Sequence, residues 1–122
     1  MSSTSVRNLF SNASSTSKFY EMYTKHGGFT YIITNQSNTV LYTGITSSLQ
    51  ARIFEHKTKF YPNSFTSKYN CDKIVWFEFF FSIEEAIERE KKIKAGSRTA
   101  KELLIKSINP SWEDLWDEIQ DL

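Results

Sequence analysis

The apolar positions of this chain change period along its length, and the changes mark out its elements. Tyr31-Ile32-Ile33-Thr34 is β-branched and aromatic, which predicts a strand. Asn35-Gln36-Ser37-Asn38 supplies turn chemistry and Thr39-Val40-Leu41-Tyr42 a returning strand, so Tyr31 and Tyr42 stand on the two arms of a hairpin. The period then lengthens: Leu49 and Ile53 share the inner face of a helix over 49–57, capped by Ser47 or Ser48. Residues 60–70 read as an extended polar and aromatic loop, and 73–81 as a strand apolar enough to be covered on both faces. Ile83, Ala86, Ile87 and Ile93 form the stripe of a second helix that stops at Gly96. Thr99-Ala100-Lys101-Glu102 has the form of a capping box and predicts a third helix, which Asn109-Pro110 breaks. Trp112, Leu115, Trp116 and Ile119 are spaced as the inner face of a last short helix. The order β-β-α-β-α-α predicts an α/β fold in which helices sandwich a small mixed sheet of about three strands.

Residues 1–27 fall outside that pattern. Ser2-Ser3-Thr4-Ser5 and Ser14-Ser15-Thr16-Ser17 offer little to pack, which predicts a disordered extension ahead of one domain over 28–122. The head is Ser-rich and acid-poor and holds Arg7 and Lys18, the composition of a transit peptide. An unstructured extension or a misassigned start explains it as well and is preferred, with Met22 standing just upstream of the first strand as an alternative start.

Composition adds three points. Ten Phe, six Tyr and three Trp in 122 residues allow a substantial core in a single small domain. The net charge of +1 hides an asymmetry: Glu113, Asp114, Asp117, Glu118 and Asp121 crowd the last ten positions. Upstream of them fifteen Lys and Arg face nine acidic residues, a modestly basic body that suits a polyanion or is simply a solvated face. The lone Cys71 excludes an intrachain disulfide and a cysteine zinc site, and fits a reducing, cytoplasmic setting. The longest apolar run, Ile74 to Phe77, meets Glu78 far short of a membrane span.

Candidate chemistry concentrates at a few positions. Arg52 and His56 lie four apart and project from one helix face. Arginine grips phosphate through parallel hydrogen bonds and histidine exchanges protons near neutrality, although a surface cation and a dipole-favoured helix end explain them too. Glu90 falls on the edge of the second helix's apolar stripe, where a carboxylate needs a cationic partner such as Arg52, a snorkelling position or a metal. Tyr31 and Tyr42 are each ordinary strand residues, yet either activates water if a nearby cation lowers its pKa. Gly44 lets the backbone approach closely or merely ends the strand, and Asn109 stops a helix. Lys91, Lys92, Lys94, Arg98 and Lys101 form the densest basic run, as phosphate contacts or as solvated charge. The aromatics Phe60, Tyr61 and Phe65 suit stacking on bases, sealing the core or a dimer.

Taken together, Phe29-Thr30-Tyr31, Leu41-Tyr42-Thr43-Gly44-Ile45-Thr46 and Arg52-x-x-x-His56 resemble the signature of the GIY-YIG nuclease family. The likeness is to its small single-domain members, related to the endonuclease domain of excinuclease C, and spans about 28–119. The resemblance implies a stand-alone, divalent-metal-dependent endonuclease that hydrolyses phosphodiester bonds in DNA, in repair or processing. Glu90 matches the family's metal-binding glutamate and would hold Mg2+ or Mn2+. Arg52 matches the arginine that contacts the scissile phosphate, and His56 recurs as an aid to proton transfer or phosphate contact. Tyr31 or Tyr42 is implied as general base, Tyr31 ahead, with His56 competing. Asn109 resembles the late asparagine that helps position the site.

The chain departs from the pattern in two places. Only Tyr31 of the first tripeptide agrees with the family name, and Ile45 stands where the bacterial excision nuclease carries a lysine. No second domain is evident to read DNA, so sequence specificity is poor or is supplied by a protein partner or self-association. The alternatives are a non-catalytic nucleic-acid-binding or adaptor domain on the same scaffold and, further off, a structural protein whose polar cluster is a buried network.

Overall fold

A computed structural model describes residues 27–122; the Ser-rich head, 1–26, lies outside the described residues. Three strands, β1 (Gly28–Thr34), β2 (Leu41–Thr46) and β3 (Lys73–Phe80), form a sheet in the order β2-β1-β3. Among the described residues five helices accompany it: α1 (Leu49–Thr58), α2 (Phe65–Lys68), α3 (Ile83–Ala95), α4 (Arg98–Ile108) and α5 (Trp116–Ile119). The α/β class and the three strands are those the sequence predicts. Both strand pairings are antiparallel, however, where the sequence reads as a mixed sheet. The crossover through α1 does return the chain parallel to β2, but β1 lies between the two, so no parallel pair is hydrogen-bonded.

Alternation along β1 divides the core in two. Phe29, Tyr31 and Ile33 face a layer made with Leu49 and Ile53 of α1, Phe77 and Phe79 of β3, and Leu115 and Ile119. Ile32 faces the other layer with Val75, Trp76, Ile93 and Ile105, under α3 and α4. A bulge between Ile32 and Ile33 sets this up. Ile32 pairs with Trp76 and Ile33 with Ile74, leaving Val75 as the extra residue, so Val75 and Trp76 both serve the second core.

Local chemistry explains the joints. The Asn35 carboxamide oxygen accepts from the backbone N–H of Thr39 at 2.9 Å and of Val40 at 3.0 Å, closing the hairpin. Arg98 then clamps that hairpin to α4, donating to the Asn38 carbonyl at 2.6 Å and the Thr39 carbonyl at 2.7 Å. Ser82 caps α3 by accepting from the Glu85 N–H.

Four local expectations are revised. The expected capping box fails because Ser97, two residues earlier, accepts from the Ala100 N–H and caps α4, while Glu102 pairs with Arg98. The stretch 60–70 is not wholly extended: Ser64 accepts from the Ser67 N–H and starts the one-turn α2. Ser48 is the N-cap residue of α1, but its side chain makes no capping bond. Trp112 leaves the face of Leu115, Trp116 and Ile119, because a left-handed backbone (φ 55°) turns it toward the second core.

Candidate active site

The site is built on the α1 side of the sheet. Tyr31, in the central strand, is 1% exposed, and its hydroxyl lies 2.9 Å from His56 Nε2 on α1. The other ring nitrogen, Nδ1, lies 3.0 Å from the Thr66 hydroxyl on α2. A neutral imidazole carries one N–H, so it donates on one side of this chain and accepts on the other. Arg52, one turn before His56, pairs with Glu55 at 3.0 Å, stands 5.8 Å from the centre of the Tyr61 ring, and its charge acts on the Tyr31 hydroxyl. Tyr42 places its ring edge-on to His56 at 6.1 Å. Tyr31, Tyr42, Arg52 and His56 thus share one neighbourhood, as their spacing in sequence suggests.

Gly44 explains how Tyr31 fits. It pairs directly with Tyr31 across β1 and β2, and the phenol ring lies over it. Its φ is not positive, and it sits within β2 rather than at a turn, so what the site uses is the missing side chain.

Burial sets the protonation states. Desolvation, with a smaller push from the Arg52 charge, lowers the His56 pKa to about 4, so the ring is neutral at pH 7. Burial likewise raises the Tyr31 hydroxyl to about 12, against the opposing effect of Arg52, so it keeps its proton. Beside these groups opens a pocket of about 320 Å³ lined by Tyr42, Arg52, Glu55, His56, Tyr61, Ser64, Phe65, Thr66 and Ser67. Tyr31 is not among its walls, so of the two tyrosines Tyr42 is the one that faces the pocket.

The remaining candidates sit elsewhere. The Thr30 hydroxyl donates to the Ala86 carbonyl at 2.7 Å, while the next residue, Tyr31, reaches His56; α3 and α1 therefore lie on opposite faces of the sheet. Glu90 belongs to α3, is largely buried and pairs with Lys94 at 3.4 Å. Asn109 is 6% exposed and donates to the carbonyls of Val75 and Glu113 while accepting from the Glu113 N–H. That set fixes the turn after α4 against β3. In the basic run, Arg98 is spent on the hairpin and Lys101 donates to the Gly96 carbonyl, whereas Lys91, Lys92 and Lys94 are exposed.

Two residues of the site escape a reading of the sequence. Thr66 orients the far side of His56, and Glu55 holds Arg52. The only local signal for the first is the Ser64-x-x-Ser67 cap that places α2.

Metal chemistry meets a sparse donor set. Among the described residues no group of three or more His, Cys, Asp or Glu side chains could cage an ion. Glu90 offers one carboxylate, which suits Mg2+ or Mn2+ completed by water and a substrate phosphate and does not suit a dedicated protein cage. Among the described residues no helix is long and apolar enough to cross a membrane.

Residues 27–103 match the model of the GIY-YIG catalytic domain, and the chain belongs to the GIY-YIG family. The match takes in Tyr31, Tyr42, Gly44, Arg52, His56 and Glu90 and ends before Asn109. A UPF0213 protein of Syntrophus aciditrophicus (strain SB) is 36% identical over 74 residues, 61% of this chain and 84% of the relative. The solution NMR structure of a UPF0213 protein from Bacillus halodurans shares 27% identity at a TM-score of 0.47, covering 72% of this chain and 92% of the other.

Proposed function

We propose that this protein is an endonuclease that hydrolyses phosphodiester bonds in DNA with the help of Mg2+ or Mn2+. The observation that carries the reading is the pocket in which the Arg52 guanidinium stands beside Tyr42 and a neutral His56. Arg52 supplies paired N–H donors for a phosphate and for the charge that grows on it during attack. Glu55 holds that guanidinium in place.

Both nitrogens of His56 are engaged and Tyr31 is buried, so the attacking water is assigned to Tyr42. His56 and Tyr31 then serve as positioning residues. Glu90 would hold the divalent ion from the α3 side, where that helix also packs against the edge strand β2, so a phosphodiester lying across that edge would meet Arg52 from one face and the ion's Lewis acidity from the other. Lys91, Lys92 and Lys94 are assigned to the DNA backbone. Action in repair or processing, in the cytoplasm and with a partner or second copy lending specificity belongs to the same proposal.

The test is nicking of labelled duplex, single-stranded and branched DNA, with Mg2+, Mn2+ or chelator, alongside Glu90→Ala. Among the described residues Glu90 has a single ionic partner, the exposed Lys94, and i,i+4 helical pairs of this kind contribute only about 0.3–0.5 kcal/mol. The variant is therefore expected to keep its fold and to lose roughly a hundredfold or more in cutting, the scale of a metal's contribution. Normal cutting by folded Glu90→Ala would remove the metal assignment. Binding without cutting on every substrate would select the non-catalytic adaptor.

A further inference from the structure

The walls of the pocket beside Arg52 continue outward as exposed aromatic rings. Phe65 and Tyr69 stand 4.7 Å apart, and Phe65 lies 6.2 Å from Tyr42 at an interplanar angle of only 30°. Across the pocket Tyr61 sits beside Arg52 and stands 4.9 Å from Phe60. Phe60, Tyr61, Phe65 and Tyr69 are all at least 42% exposed, an expensive way to leave apolar surface unless something covers it.

Cations are interleaved with these rings, while Glu55 at the pocket wall is paired with Arg52. Residues 56–71 contain Lys57, Lys59 and Lys68 and no acidic residue. Lys59 and Lys68 are exposed, whereas Lys57 is tied to Asp114. Aromatic faces interleaved with cations are how proteins hold an unpaired nucleic-acid strand, the rings taking bases and the cations tracking phosphates. Inside a duplex both faces of each base are already covered by its neighbours, so these rings have nothing to stack on unless the base is unpaired or flipped out.

We propose that the ring groups Phe65–Tyr69 and Phe60–Tyr61 form a base-stacking platform for unpaired nucleotides flanking the phosphate at Arg52, so that the preferred substrate is single-stranded DNA or the single-stranded arm of a branched molecule. This rests on the nuclease reading for its placement of the phosphate, but the platform is testable without catalysis. The pocket between the two ring groups, about 320 Å³, lies at the lower end of the roughly 300–1,000 Å³ range of small-ligand sites. It suits a single base better than the width of a duplex.

The experiment measures equilibrium binding of a labelled oligonucleotide, single-stranded and as the matching duplex, to the full chain in chelator at fixed salt. Phe65→Ala, Tyr61→Ala and Tyr61→Phe are compared, with thermal melts to confirm folding. The wild type is expected to prefer the single strand by roughly tenfold or more, since base–aromatic stacking is lost roughly five- to hundredfold per base on truncation to alanine. Both alanine variants should lose that preference, and Tyr61→Phe, which keeps the ring, should retain it. Equal affinity for the two forms, or alanine variants that bind like wild type, would overturn the platform whatever the nicking assay shows. Concentration-dependent self-association that Phe65→Ala abolishes, with no single-strand preference, would overturn it in favour of a dimer face. A retained preference in a protein that cuts nothing would support the platform and end the nuclease reading.

Discussion

A Cβ atom placed on Gly44 would come within 2.5 Å of the Tyr31 hydroxyl oxygen and 2.6 Å of the ring carbon that bears it. No other side chain at this position leaves room for the phenol, and Tyr31 is too buried to swing aside. Gly44→Ala should therefore displace Tyr31 from His56 and Arg52. The expected cost is about 1–3 kcal/mol of overpacking, with cutting reduced more than the melting temperature alone would explain. Melting curves and single-turnover nicking measured side by side check it; an unshifted melt with full activity would refute it.

The two tyrosines should separate in their effects. Tyr31→Phe leaves His56 Nε2 without its buried partner, for an expected loss of about 1–3 kcal/mol in stability. Tyr42→Phe touches a half-buried hydroxyl at the pocket wall and should leave stability within about 0.5 kcal/mol while cutting falls by roughly a hundredfold. Denaturant midpoints and rates for both variants decide it. A Tyr42→Phe enzyme that cuts normally would return the base to Tyr31 or His56.

Stability should bend at both ends of the pH scale. His56 has an ordinary pKa of 6.5 and a folded value of about 4, so between those values the unfolded chain binds the extra proton. Its contribution is complete above pH 6.5 and is lost as pH falls toward 4, on the order of 3 kcal/mol in all. Tyr31, raised from 10.0 to about 12, works in the opposite sense: its contribution is complete below pH 10 and is lost as pH rises toward 12. Unfolding free energy measured from pH 4 to 11 should show both slopes, and His56→Phe should flatten the acid one. An acid slope unchanged by that variant would show that burial does not hold the ring neutral.

The basic run should divide into a structural and a binding part. Arg98→Ala removes two short charged hydrogen bonds to the hairpin and should cost about 2–4 kcal/mol of stability. Lys91→Ala and Lys92→Ala should leave stability alone and each reduce the salt dependence of DNA binding by about one phosphate contact. Salt titrations of binding for the three variants test the division. A salt slope that changes with Arg98 and not with the lysines would reverse it.

What could be read from the sequence follows how local the cause is. β1, β3 and α3 announce themselves because their apolar periods run unbroken, and Ser82 and Gly96 mark the ends of α3. The one-turn α2 has no period to show, and two hydroxyls, Ser97 and Thr99, stand where the α4 cap could fall, of which Ser97 takes the Ala100 N–H. The sheet's antiparallel pairing was hidden because the order β2-β1-β3 is a tertiary choice. The same holds at the site. Arg52 and His56 share a helix face by spacing alone, but the reason for Gly44 needs the β1–β2 register, and the place of Glu90 needs to know which face α3 covers. Asn109 stood out as a site residue, whereas its visible bonds tie a turn to β3.

β1 is hydrogen-bonded on both sides, and it carries Tyr31; α2 is one turn held by a serine cap, and it carries Thr66 and Phe65. The two walls that meet at His56 therefore differ in how many backbone bonds hold them. Disturbing the first means dissolving the domain, while the second can detach for little more than the cost of its own few contacts. A strand threading between them meets a fixed anvil on one side and a yielding jaw on the other.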